Sequence, residues 1–163
     1  MINLLKQINK NLKIRHRKYL KKQTPKFAVL TCSDSRVDAE DFFGDSFNKD
    51  FVIENAWNTA NNNLWTIEYA LKELAIKHFV VIWHSHCGAC KYSFETKWKK
   101  YDKELDHEFK IIKKLAEKSK TPQELEIKNI QEQVKIIKKT FPEYAEKIVG
   151  MYYDIEKREV SLV

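Results

Sequence analysis

The sequence predicts an α/β protein with a central, mostly parallel β-sheet, flanked by helices and completed by a C-terminal strand pair. Short apolar runs, typical of buried strands, alternate with segments of helical periodicity; the runs lie at residues 27–31, 51–53 and 79–83. A strand that is covered on both faces is apolar throughout, as in 79–83. Alternating strands and helices favour a parallel sheet, and ligands then bind beyond the carboxyl ends of the strands.

The N-terminal segment has the spacing of an amphipathic helix. Apolar side chains recur there at near-helical intervals, at Leu5, Ile8, Leu12 and Tyr19. This spacing predicts a helix over residues 2–22, which Pro25 ends before the first strand. The apolar stripe of this N-terminal arm (residues 1–22) needs a surface to cover.

The later helices are predicted from periodicity and from residues typical of helix ends. Gly44 is a suitable residue after a short helix, and Thr121-Pro122 is a suitable helix start. The predicted helices cover residues 38–44, 64–74 (with the Asn61–Asn63 cluster as its cap), 103–118 and 123–140. A hairpin is predicted near the C terminus, with strands 149–155 and 159–163.

Metal-binding side chains follow two of the predicted strands. Cys32 comes directly after the first run, and His84 and Cys87 follow the run 79–83. Parallel strands that end side by side would bring these three residues together. Two thiolates and one imidazole suit Zn²⁺, and three protein ligands leave its fourth tetrahedral position open for chemistry. The sequence therefore predicts a catalytic zinc site.

Other residues near these motifs leave alternatives open. Cys90 could supply a fourth ligand of a structural zinc site, although it would face away if a helix begins at Cys87. His86 could replace its neighbour His84 as a ligand, but the adjacent cysteine makes this sterically awkward. The remaining histidines have no partner visible in the sequence, and we expect ordinary surface or packing roles for His16, His78 and His107.

Composition and charge favour a compact enzyme of the cytoplasm. The chain has 163 residues, of which 43% are hydrophobic, so we expect one domain over residues 1–163. It has no apolar stretch of membrane-spanning length, and its start lacks the features of a signal peptide. Three cysteines argue against a disulfide framework. The net charge of +7 comes from lysines interleaved with glutamates, which is typical of a solvated face and not of a nucleic-acid site.

The two motifs resemble those of the β-class carbonic anhydrases. Cys-x-Asp-Ser-Arg begins at Cys32, and His-x-x-Cys-Gly begins at His84. Further likeness covers most of the chain, at residues 37–43, 51–58, 67–70 and 150–154. The resemblance implies that Cys32, His84 and Cys87 bind zinc, and that Asp34 and Arg36 form a catalytic pair. A buried ion pair without a catalytic role is the alternative for the last two residues.

The resemblance also implies a reaction and an assembly. The family carries out the reversible hydration of carbon dioxide to bicarbonate, with zinc lowering the pKa of bound water to roughly 7. Asp34 would orient that water while Arg36 grips the Asp34 carboxylate. In closed members of the family, the aspartate itself occupies the fourth position on zinc. The family forms dimers or dimers of dimers, in which the N-terminal helix wraps over the partner.

Three residues depart from the family pattern. Glu54 stands where arginine or lysine is usual, and Trp57 and Trp83 stand where glycine is usual. Glycine permits positive φ or close backbone approach, so the two indoles must change the packing or narrow the cleft. Hydrolysis of COS or CS₂ on the same zinc site therefore stays open as an alternative. So does a zinc-binding homologue without catalytic activity.

A thiol oxidoreductase is the alternative from another reaction class. Residues 87–90 read Cys-Gly-Ala-Cys after a strand, which is similar to a thioredoxin active site. A thioredoxin has much less chain before its motif, however. This alternative also leaves the motif at Cys32 unexplained.

Overall fold

The computed structural model describes residues 2–14, 17–44, 47–96 and 103–163. The strands are β1 (Phe27–Cys32), β2 (Asp50–Asn55), β3 (His78–His84), β4 (Ile148–Asp154) and β5 (Glu159–Leu162). The α-helices are α1 (Ile2–Ile14), α2 (Ala39–Phe43), α3 (Leu64–Glu73), α4 (Gly88–Thr96), α5 (Lys103–Glu117) and α6 (Pro122–Thr140). Short 3₁₀ turns cover Ala56–Asn58, Asn61–Asn63 and Pro142–Lys147. No helix in these ranges is both long enough and apolar enough to cross a bilayer.

The five strands form one sheet in the order β2-β1-β3-β4-β5. Strand β1 pairs in parallel with both β2 and β3, and β3 pairs in parallel with β4. Strand β5 runs antiparallel to β4 and forms the predicted C-terminal hairpin with it. The predicted fold class, a mostly parallel sheet with a C-terminal strand pair, is confirmed.

Side chains of the central strands alternate between two apolar cores. On one face, Leu30 and Val81 pack with side chains of α3, α5 and α6, among them Ile67, Ile112 and Ile130. On the opposite face, Val29 and Ile82 pack with Ala39, Phe42 and Phe43 of α2. Helices therefore lie on both faces of the sheet, and this explains why the central strands lack polar alternation.

Helix α6 lies close to β4 because Gly150 has no side chain. A Cβ at this position would lie 2.8 Å from Cγ2 of Ile130 and 3.1 Å from Cγ2 of Val134. Both of these side chains belong to α6. The helix starts as predicted, with Thr121 Oγ1 accepting the N–H of Glu124 at 3.1 Å.

The N-terminal helix is shorter than predicted. Helix α1 ends at Ile14 and residues 17–22 are not helical, so the predicted extent to residue 22 is wrong. The physical reason is tertiary. Arg17 binds Glu40 at 2.6 Å and lies over the ring of Phe47, and these tertiary contacts favour a non-helical segment after α1.

Two further details differ from the prediction. Asn61–Asn63 form a 3₁₀ turn, and Asn63 donates to the Thr59 carbonyl at 3.3 Å, so no side chain of this cluster caps α3. Helix α4, considered from sequence only in connection with Cys90, runs over Gly88–Thr96. Its small and polar residues give it no regular apolar stripe, which is why periodicity does not identify it.

Replacing Gly150 by alanine tests the close packing of α6 on β4. The added methyl group would press on Ile130 and Val134, and we expect the free energy of unfolding to fall by about 1–3 kcal/mol, the usual cost of overpacking. Urea unfolding followed by circular dichroism, at one fixed zinc concentration, measures the change. Gly88→Ala is the matched control, because nothing lies within 4 Å of its added Cβ. Equal stability of the two variants would contradict the close approach.

Candidate metal centre

Cys32, His84 and Cys87 come together at the carboxyl ends of two strands. Cys32 is the last residue of β1 and His84 is the last residue of β3, and these strands are parallel neighbours. Cys87 follows His84 after a short turn. The ligand atoms of the three side chains all lie within 4.8 Å of one another, and the two Sγ atoms are 4.0 Å apart. All three side chains are buried, so bulk water has little access to them.

The imidazole of His84 has one nitrogen available to a metal ion. Its Nδ1 lies 2.9 Å from the carbonyl oxygen of Ser85, which can only accept, so Nδ1 carries the hydrogen and Nε2 carries the lone pair. Nε2 is buried and has no hydrogen-bond partner among the described residues. A buried nitrogen without a partner is unusual in a folded protein. Beside two thiols, it fits the donor set of Zn²⁺.

A hydrogen bond joins the sulfurs of Cys32 and Cys87. Their mutual hydrogen bond raises the pKa of Cys32 and lowers the pKa of Cys87. A divalent cation would bind both sulfurs as thiolates, so metal binding would be coupled to the release of protons.

Asp34 lies beside the cluster and is held by Arg36. The guanidinium donates from Nε to Oδ1 at 2.9 Å and from Nη2 to Oδ2 at 2.7 Å. These bonds hold the pKa of Asp34 below its usual range. Oδ2 of Asp34 lies 3.8 Å from Nε2 of His84. An ionised carboxylate of fixed orientation therefore faces the donor atoms of the cluster.

The turn after β3 is fixed by contacts from outside the turn. The N–H of Ser85 donates to the carbonyl of Tyr153 at 2.8 Å, which continues the pairing with β4. The carbonyl of His86 accepts from Nη2 of Arg36 at 2.9 Å. Arg36 thus connects this turn to the carboxylate that follows β1.

Glu126 also contacts the turn, and sequence reasoning missed it. This residue of α6 is 1% exposed, and its Oε1 accepts the N–H of Cys87 at 3.0 Å, while Oε2 accepts the O–H of Tyr152 at 2.9 Å. Burial raises the pKa of the Glu126 carboxyl, against the effect of these donors. A glutamate in a helix rich in charged residues resembles a surface residue. The available signal is its helical spacing from Ile130 and Gln133, which share the buried face.

Neither Cys90 nor His86, the alternative ligands, belongs to the cluster of three side chains found among the described residues. Cys90, in the first turn of α4, is fully buried and is not one of the three clustered side chains in the described part of the chain. Burial and the neighbouring Cys87 raise the pKa of the Cys90 thiol, so it stays protonated. His86 is exposed, with Nε2 lying 3.4 Å from the Glu156 carboxylate. His78 stacks on Phe27, whereas His16 and the side chain of His107 lie outside the described residues.

Two of the three residues that depart from the family pattern are indoles in the core beside Cys32. Trp57 has a positive φ of 64°, and its indole N–H donates to Oγ of Ser93 at 3.0 Å. Trp83 is fully buried, and its indole N–H has no partner among the described residues. Both indoles pack in the apolar core that also contains Cys32. Glu54 is exposed on β2.

Comparison with known sequences identifies related proteins. A family model described as carbonic anhydrase matches residues 27–160. The chain is 42% identical over 80 residues to a carbonic anhydrase of Synechococcus elongatus, covering 45% of this chain and 29% of that protein. It is 40% identical over 70 residues to a carbonic anhydrase of Mycolicibacterium smegmatis, covering 42% and 34%. The aligned segments therefore span about a third of these relatives.

Comparison with solved structures covers nearly the whole chain. The β-carbonic anhydrase CcaA superposes with a TM-score of 0.75 at 25% identity, covering 98% of this chain and 91% of that one. A tetrameric β-carbonic anhydrase of Sordaria macrospora superposes with a TM-score of 0.76 at 21% identity, covering 99% and 95%. A carbon disulfide hydrolase shares the fold, with a TM-score of 0.61 at 18% identity, covering 99% and 91%. Because the family match over residues 27–160 spans most of the chain, this chain belongs to the β-class carbonic anhydrase family.

Proposed function

We propose that this protein is a zinc-dependent carbonic anhydrase, which converts carbon dioxide and water reversibly to bicarbonate and a proton. The observation that carries the proposal is the buried cluster of Cys32, His84 and Cys87, with the Asp34 carboxylate 3.8 Å from His84. Membership of the family supports the reaction class.

Cys32, His84 and Cys87 would hold the zinc ion. The unpaired Nε2 of His84 and the two buried sulfurs are the donors available to it. Zinc, when bound, supplies the Lewis acidity that activates water at neutral pH. Asp34 is close enough to the cluster to serve as a fourth ligand in a closed resting form.

Asp34 is the catalytic carboxylate in this proposal, and Arg36 is its positioning residue. A carboxylate at this place accepts a hydrogen bond from the reacting water and so orients the water's lone pair toward the carbon of CO₂. Arg36 holds both carboxylate oxygens, which keeps Asp34 ionised and turned away from direct metal binding. Its additional bond to the carbonyl of His86 fixes the guanidinium itself.

Hydrolysis of COS or CS₂ is the second candidate. Trp57 and Trp83 pack in the core that contains Cys32, at places where the family has glycine, and this packing favours a reshaped substrate pocket. The same donors and the same carboxylate would serve that reaction. A non-catalytic role is disfavoured by the intact pair of Asp34 and Arg36. A thiol oxidoreductase is disfavoured because the thiol of Cys90 is buried and protonated.

We also propose a cytoplasmic homodimer or dimer of dimers. The apolar stripe of α1 is exposed on the described part of the chain, with Leu4, Leu5, Ile8 and Leu12 between 45% and 66% accessible. A second copy of the chain would cover this stripe. A reducing compartment suits a centre that needs two free thiols.

Serine substitutions separate the proposed ligands from the neighbouring cysteine. We expect about one zinc per chain in the wild-type protein, as a three-ligand site predicts. Cys32→Ser and Cys87→Ser should lose the metal and most of the activity, because each removes a donor. Cys90→Ser is the matched control and should keep both. Metal analysis by mass spectrometry gives the zinc content, and loss of zinc from Cys90→Ser would contradict the three-ligand site.

Variants of the ion pair test the role of the carboxylate. Arg36→Ala should retain zinc but lose activity, because Asp34 is then free to bind the metal. Asp34→Asn should also retain zinc and should hydrate CO₂ more slowly by about one to two decades, since one charge-assisted hydrogen bond is worth roughly 1.5–3 kcal/mol. Stopped-flow measurements with CO₂, and with COS in parallel, give the rates and the substrate preference. Near-wild-type turnover in either variant would assign the pair a structural role.

Charged substitutions on α1 test the proposed assembly. Ile8→Glu combined with Leu12→Glu places charges in the apolar stripe, and we expect monomers or aggregates in sedimentation velocity experiments. The control, Lys6→Glu combined with Lys10→Glu, changes the opposite helix face and should leave the assembly intact. A soluble oligomer of unchanged mass in the first variant would show that the stripe does not form the interface.

A further inference from the structure

We propose that Glu126 is a positioning residue for metal binding: its carboxylate holds the backbone of Cys87 and thereby directs that thiol toward Cys32 and His84. The inference rests on the proposed zinc site but not on the identity of the substrate. Among the described residues, Glu126 is not one of the three clustered side chains, and its hydrogen bonds go to a backbone N–H and a tyrosine O–H. It acts through the N–H of Cys87, which it accepts at 3.0 Å.

Burial makes packing a poor explanation for this side chain. Glu126 is 1% exposed and is the one buried acidic residue among the described side chains. A buried carboxylate is costly unless its oxygens receive hydrogen bonds. Both oxygens do, from neutral donors and not from a cation. A leucine would fill similar space on this helix without burying a charge, so the distinctive property of Glu126 is that it accepts two donors at once.

The second oxygen of Glu126 locks the carboxylate in place. The O–H of Tyr152 donates to Oε2 at 2.9 Å, and Tyr152 lies on β4. The adjacent residue, Tyr153, accepts the N–H of Ser85 at 2.8 Å. Strand β4 therefore holds the start of the turn directly and holds its end, at Cys87, through Glu126. The direction of the Cys87 side chain follows from its backbone, because Cβ is fixed by the backbone atoms around Cα.

Loss of the carboxylate would leave a buried donor without an acceptor. The N–H of Cys87 would then have to find another partner or reach water, and the turn would shift in either case. A shift at Cys87 moves one of the three metal donors relative to the other two. Partners that orient metal ligands typically contribute 10–100-fold to metal affinity.

Zinc affinity tests the proposal without any measurement of turnover. Competition with a chromophoric chelator should show about 10–100-fold weaker zinc binding by Glu126→Leu. Glu126→Gln should recover much of this loss, because the amide oxygen still accepts from Cys87 and the amide nitrogen can donate to the Tyr152 oxygen. Gln133→Leu is the matched control. Like Glu126→Leu, it removes from α6 a buried side-chain oxygen that accepts a backbone N–H. That N–H belongs to Ala60, 2.9 Å from Oε1 of Gln133, and lies outside the turn.

Cobalt substitution gives a second readout of ligand geometry. Thiolate-to-cobalt absorption bands should change in Glu126→Leu, recover in Glu126→Gln and stay unchanged in Gln133→Leu. Tyr152→Phe frees the carboxylate but keeps its bond to Cys87, and it should give a smaller loss of zinc affinity. This variant carries the test if circular dichroism shows that Glu126→Leu does not fold.

Three outcomes would overturn the proposal. The first is wild-type zinc affinity and wild-type spectra in Glu126→Leu or, if that variant is unfolded, in Tyr152→Phe. The second is zinc binding by Glu126→Gln as weak as that by Glu126→Leu, which would assign the effect to charge. The third is an equal loss of zinc affinity in Gln133→Leu, which would assign the effect to general stability. Absence of CO₂ turnover in the zinc-loaded wild-type protein would contradict the proposed reaction alone, since these measurements need only the metal.

Discussion

The parallel pairing of β1 with β3 is the constraint on which the site depends. These neighbouring strands end with Cys32 and His84, and a residue at the end of one parallel strand lies beside the end of the next. A shift of one residue in this register would turn the Cys32 side chain to the opposite face of the sheet. The apolar cores on both faces prevent such a shift, because it would exchange every buried side chain between them. The hydrophobic pattern of the strands thus fixes the positions of Cys32 and His84, two of the three proposed metal ligands.

Contacts from two sides hold the turn that carries Cys87. Arg36 connects the segment after β1 to the turn after β3, through the carboxylate of Asp34 and the carbonyl of His86. Strand β4 and α6 hold the same turn from the other side, through Ser85 and Glu126. Both sets bind the same peptide unit, because the carbonyl of His86 accepts from Arg36 and the N–H of Cys87 donates to Glu126.

Much of the fold and the juxtaposed donors could be predicted from the sequence, because both depend on local patterns. Apolar runs locate the strands, and soft ligands directly after two runs locate the cluster. The residues that were missed depend on tertiary contacts. Helix α1 ends early while Arg17 binds Glu40, and Glu126 is buried because two donors meet it from distant elements. Sequence periodicity describes one helix or strand at a time, so it cannot predict contacts between distant elements.

The absence of a side chain at Gly150 allows the Glu126 carboxylate, elsewhere on α6, to lie within hydrogen-bond distance of its donors. Because α6 lies directly on β4 there, the helix turn that carries Glu126 is near enough for hydrogen bonds to Cys87 and Tyr152. A bulkier residue at Gly150 would lift this helix by a few tenths of an ångström, and hydrogen bonds weaken over such distances. If Glu126 positions Cys87 as proposed, a substitution at Gly150 would lower the zinc affinity although Gly150 is not a proposed metal ligand. Zinc affinity could consequently be changed by a substitution in the sheet, at Gly150, without altering any residue of the proposed active site.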